Sequence, residues 1–136
     1  MKAAKIYNCA LKLLNEPSGT GCACSGCSDA GDDLAERAPY ILAAAVDEMR
    51  DADDEYRRSH GLGARVDICD IMLPPEAEFP LSPRFAHAAA YYLASMLIAD
   101  ENPELADTLF DRFSDAMATI RASIPATKGK IRNVYP

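Results

Sequence analysis

The chain has 136 residues, 49% hydrophobic and 26% charged, which is enough for one domain with a substantial core and too apolar for disorder. A net charge of −7 excludes a whole-surface binder of nucleic acid, because phosphate contacts need Lys and Arg; a passage along which DNA slides without sticking stays open. Five cysteines, and no apolar run after Met1–Lys5, speak against a secretory signal and a disulfide framework, and for free thiols or a metal.

Residues 3–15 place Ile6, Cys9 or Ala10, Leu13 and Leu14 on one face at helical spacing, and Glu16-Pro17-Ser18-Gly19 ends that helix. Residues 17–31 hold four glycines and three cysteines, a small-residue loop with little to bury. Residues 33–59 carry the longest helical pattern. Leu42, Val46 or Ala45, Met49, Asp53 or Ala52, and Tyr56 recur at steps of three and four. Asp47, Glu48, Arg50, Asp51, Asp54, Glu55 and Arg57 cover the other face. Pro39 predicts a kink or a short first piece. His60-Gly61 predicts the stop, Gly61 taking a left-handed turn. Over residues 62–81 the prolines at 74, 75 and 80 force an irregular loop, with a brief extended stretch from Val66 and Ile68 towards Cys69–Leu73.

Ser82 to Ala99 is the stretch around which the rest is arranged. Ser82 can cap a helix and Pro83 suits its first turn. From Phe85 to Ala99 the only clearly polar side chains are His87 and Ser95. A helix apolar on all sides is normally surrounded by protein, and about 16 residues fall short of the ~20 that a membrane span needs. Asn102-Pro103-Glu104 then supplies a cap, an N1 proline and an early acid. Leu105, Leu109, Phe113, Met117 or Ala116, Ile120 and Ile124 form the apolar stripe of a last helix, closed by Pro125. Residues 126–136 carry Lys128, Lys130 and Arg132, no acid, and Ile131, Val134 and Tyr135. This basic, extended tail reads as a docking strand on a neighbour or as a frayed end. The fold class is all-α: a small bundle of four main helices around a buried alanine-rich one. Residues 1–125 form the helical domain, with the 17–31 loop inserted, and residues 126–136 form the tail.

Cys22, Cys24 and Cys27 lie within six residues on a glycine-rich turn. Three such thiolates can chelate zinc, with a fourth ligand from Cys9, Cys69, His60 or His87, and a closed site of that kind is structural. A single cluster, without a second paired motif, also fits a loop of reduced thiols. His87 has no nucleophile motif near it and reads as a core histidine bonded internally. Asp51, Asp53 and Glu55 alternate like a calcium loop, but Tyr56 stands at the glycine position. The run reads as a solvated or subunit-facing acidic face. Arg57, Arg58, His60 and Arg65 complement the negative end of the long helix or meet an acidic partner.

Four segments carry a resemblance: Ala10-Leu11-Lys12-Leu13-Leu14-Asn15-Glu16, then Glu36-Arg37-Ala38-Pro39-Tyr40-Ile41-Leu42, then Phe79-Pro80-Leu81-Ser82-Pro83-Arg84-Phe85-Ala86 with Tyr92-Leu93-Ala94, and Asp100-Glu101-Asn102-Pro103-Glu104-Leu105-Ala106 with Leu109-Phe110-Asp111-Arg112-Phe113. In this layout the chain resembles the head–tail connector proteins, adaptor or head-completion, of tailed phages and prophages. The cysteine loop is a departure from that pattern. The resemblance implies a non-enzymatic structural protein of the virion, assembled in the host bacterial cytoplasm. It implies a ring of subunits on the portal protein, DNA passing through without sequence readout, and no membrane. It also implies a terminal segment gripping the portal or the downstream tail or stopper protein. The residues placed there are Lys128, Lys130, Ile131, Arg132, Val134 and Tyr135. The alternative from the residues alone is a small helical zinc-binding regulatory or interaction module using Cys22, Cys24 and Cys27.

Overall fold

In the computed structural model, which describes residues 1–15, 28–67 and 70–125, the chain forms four α-helices. α1 spans Ala3–Asn15, α2 Ser28–Ser59, α3 Ala86–Ile98 and α4 Pro103–Ser123; a 3-10 turn at Pro83–Phe85 leads into α3. No strand occurs among the described residues, where Lys2 and Glu78 form an isolated antiparallel bridge.

α1, α2 and α4 each pack on α3, and among the described residues no other pair of α-helices makes comparable contact. The cause lies in the side chains. Ala88, Ala89, Ala90 and Ala94 are buried and small, so neighbouring backbones come close, while Leu93 and Leu97 fill the gaps. Phe85, fully buried, sits in one part of the core with Met49, Phe113 and Met117. Leu93 and Leu97 share the other part with Ala10 and Leu109. Each large apolar side chain so buried contributes about 1.5–3 kcal/mol.

The helix ends follow local chemistry. Asn102 Oδ1 accepts the Leu105 N–H at 3.1 Å, and Pro103 occupies the first turn of α4. Gly61, at φ +64°, ends α2. The Leu62 N–H reaches the Arg57 carbonyl at 2.9 Å and the Gly61 N–H the Arg58 carbonyl at 3.5 Å, the pairing that closes a helix through a left-handed residue.

Several expectations are corrected. α2 begins at Ser28, so residues 28–31 belong to the helix and not to the small-residue loop. Extending an existing helix adds one hydrogen bond per residue fixed, which offsets the roughly 1 kcal/mol cost of Gly31. Pro39 lies inside this single helix, and no separate first piece precedes it. Its neighbours Ala38 and Leu42 are buried, and its carbonyl accepts the Leu73 N–H at 3.0 Å, so tertiary packing holds the turn. Ser82 sits at the cap position, but its hydroxyl makes no cap bond. Asp53, from α2, takes the Ser82 N–H instead. α3 is not enclosed on every side: His87 is exposed in its first turn, and Tyr91, Tyr92 and Met96 are half-buried. Three packed neighbours leave an open edge, and the ionisable residue of the stretch occupies it. Of the expected extended stretch, Ile68 and Cys69 lie outside the described residues, and Val66 and Leu73 are in irregular backbone.

Candidate interaction surfaces

The residues predicted to ligate metal, Cys22, Cys24 and Cys27, lie outside the described residues. So do the predicted docking residues Lys128, Lys130, Ile131, Arg132, Val134 and Tyr135. Of the possible fourth ligands, Cys69 lies outside as well, and Cys9 is half-buried on α1. His60 is exposed, its Nδ1 2.8 Å from Ser59 Oγ and 2.9 Å from the Tyr56 carbonyl oxygen, its ring stacked on Tyr56 at 4.1 Å. Among the described residues no three His, Cys, Asp or Glu side chains converge to hold a metal ion.

The strongest polar arrangement lies at the end of α2. Asp53 is fully buried. Its Oδ1 accepts the Ser82 N–H at 2.9 Å and its Oδ2 the Arg57 Nε–H at 2.7 Å. Arg57 also donates to the Gly63 carbonyl at 3.1 Å and to the Pro80 carbonyl at 3.2 Å. One guanidinium thus joins α2 to both ends of the irregular stretch between Gly63 and Pro80. A buried carboxylate is tolerable because a cation and an N–H at the start of a helical segment satisfy it. Asp53 is therefore not part of a solvated acidic face, and Arg57 neither faces water nor merely offsets a helix dipole. The sequence signal for both was present: an acid on the core-facing stripe with an arginine four residues later.

Arg65 behaves similarly. Its side chain is only 6% exposed, with Nε 3.3 Å from Asp54 Oδ1 and Nη1 3.2 Å from Asp67 Oδ1. Both contacts are within its own chain. Arg58 is exposed.

Apolar side chains also reach the surface. Val66 and Ile71 are 78% and 79% exposed, and Tyr40 is 51% exposed. Tyr40 and Ile71 border a groove of about 430 Å³ with Ala44, Asp47, Arg50 and Arg65. On the α3–α4 side, partly exposed Phe110 meets Phe113 at 5.6 Å between ring centroids, and Phe113 meets Tyr92 edge-on at 5.2 Å. Burial and the neighbouring Glu48 charge raise the Tyr92 phenol above its usual range, and burial alone raises Tyr7. Glu78 moves the other way: hydrogen bonds from the Met1 amino group and Lys2 lower its carboxyl. Among the described residues no helix is long and apolar enough to cross a membrane. No family model matches the chain, and neither a curated protein nor a solved structure matches it.

Proposed function

We propose that this chain is a non-enzymatic head–tail connector of a tailed phage or prophage. It docks on the portal protein as a ring and forms part of the passage through which DNA reaches the tail. The observation that carries the reading is the layout of its four resembling segments along an all-α chain. One ends α1, one spans the Pro39 region of α2, one runs from the buried Phe79 into α3, and one caps α4. The acidic balance of the chain supports a wall that DNA passes without adhering. In this reading Lys128 to Tyr135 grip the portal or the downstream stopper. Electron microscopy of the full chain mixed with a tailed-phage portal protein from the same genome tests the proposal. A ring of added density on the portal, lost when residues 126–136 are removed, is the expected result; portal particles without added density would overturn it.

The three close thiols of Cys22, Cys24 and Cys27 favour a second reading, a zinc-binding interaction module. Metal analysis of protein purified without added zinc separates it. Near-stoichiometric zinc, lost in the Cys22→Ser, Cys24→Ser, Cys27→Ser variant, supports that reading; metal-free folded protein removes it.

A further inference from the structure

We propose that residues 63–67 form an electrostatic latch, held on α2 by two arginines and released as a unit when those contacts are screened. The inference does not depend on the connector reading. The segment is built inside out. Val66 is 78% exposed and Leu62, just before it, 49% exposed, whereas the Arg65 side chain is 6% exposed. Among the described residues no backbone–backbone hydrogen bond involves residues 63–67. What holds them is side-chain charge: Arg57 on the Gly63 carbonyl at 3.1 Å, and Arg65 on Asp54 at 3.3 Å. The Arg65–Asp67 pair, at 3.2 Å, lies within the segment and fixes the guanidinium's orientation.

Such an attachment differs in kind from apolar burial. Asp54 and Asp67 are 43% and 75% exposed, so salt reaches both pairs and weakens them. The Arg65 stem contributes some packing, and among the described residues no large apolar side chain of the segment is buried. Local units of this sort open with little free energy while the core stays folded. Arg65 also borders two grooves, one with Tyr40 and Arg50 and one with Asp54 and Arg58. Its departure joins them and frees one cation beside an exposed valine.

Limited trypsin digestion of the full chain, read by mass spectrometry, tests this. Trypsin must take the Arg65 side chain into its own specificity pocket, so cleavage after Arg65 counts the released state. Rates are divided by that of a short reference peptide in the same buffer, and cleavage after Arg112, inside α4, reports opening of the helical body. Cleavage after Arg65 should rise roughly two- to fivefold between about 20 mM and 500 mM NaCl, with cleavage after Arg112 unchanged. Asp54→Asn should raise the low-salt rate by a similar factor and flatten the salt response. The proposal is overturned by a salt-independent rate, by an Asp54→Asn protein cut no faster than the parent, or by cuts after Arg65 and Arg112 that rise together.

Discussion

Residues 63–67 and residues 79–85 both lie between α2 and α3, yet opposite forces hold them. At the second, Phe79, Leu81, Ser82 and Phe85 are all buried, and the Phe79 N–H bonds the Met1 carbonyl at 2.8 Å. At the first, the apolar Val66 points out and the arginine points in. Apolar burial stabilises in proportion to area and persists in salt; an ion pair whose carboxylate reaches solvent is worth less and is partly screened. Arg57 touches both ends, through Gly63 and Pro80, and is the joint between the two regimes. The difference teaches that an irregular segment can be firmly seated or loosely held according to which side chains face the body.

Phe85→Ala gives the largest expected effect. Phe85 is fully buried and edge-on to Tyr56 at 6.0 Å. Its truncation should cost about 3–5 kcal/mol in urea unfolding; a loss near 1 kcal/mol would mean that the second end is not seated by burial. Arg57→Gln comes next. It leaves Asp53 buried without its cation, a change that costs about 3–5 kcal/mol at enclosed sites. Arg57 is 20% exposed, so about 2–3 kcal/mol is the discounted expectation. Asp53→Asn keeps an acceptor for the Ser82 N–H but sets an amide donor against the Arg57 Nε–H; because Arg57 retains the Gly63 and Pro80 carbonyls and no carboxylate is left buried and unpaired, it should cost less. A larger loss for Asp53→Asn than for Arg57→Gln would place the joint elsewhere.

The helical body was legible in the sequence and the seating of the segment between α2 and α3 was not. Periodicity located α1, α4 and their stripes, because Leu109, Phe113, Met117 and Ile120 repeat at the spacing a helix buries. The density of apolar residues identified α3 as the hub. Periodicity says nothing about a segment without a period, so residues 63–67 read only as loop. Asp53 stood on the core row with an arginine four residues later, but periodicity placed Arg57 itself on the solvent face, and only the fold shows it turned inward. The candidate sites were read from composition, at Cys22–Cys27 and Lys128–Tyr135, and both lie outside the described residues. The apolar side chains that the fold does expose, at Tyr40, Val66, Ile71 and Phe110, are scattered in the chain, and of these four Tyr40 and Ile71 border one groove.

Asn102→Ala removes the acceptor of the Leu105 N–H and should cost about 1 kcal/mol, a measure of what one local bond contributes beside the core. An unchanged urea midpoint would mean that water replaces the cap without loss. Glu78 ties the second end to the chain's first residues through Lys2 at 3.1 Å and the Met1 amino group at 2.6 Å. Its carboxyl lies below the ordinary value of 4.5 in the folded chain. The contact therefore stabilises above that value and is lost as pH falls through the lowered one. Acid unfolding of the parent should be steeper below about pH 4.5 than that of Glu78→Gln, by less than the Asn102→Ala effect. Parallel acid limbs would remove Glu78 as an anchor.

Val66→Ser is the smallest expected change and the sharpest on the comparison. At 78% exposure the valine buries almost nothing, so unfolding free energy should move by less than about 0.5 kcal/mol. The same substitution at a seated position such as Leu81, 3% exposed, would add a cavity and an unpaired hydroxyl and cost several times more. If Val66→Ser cost as much as about 1 kcal/mol, the outer side of residues 63–67 would be covered in the free protein, and the first end would be seated by burial after all. If instead it left stability unchanged but weakened binding to a portal ring, the exposed valine would be part of a surface whose apolar partner arrives only on assembly.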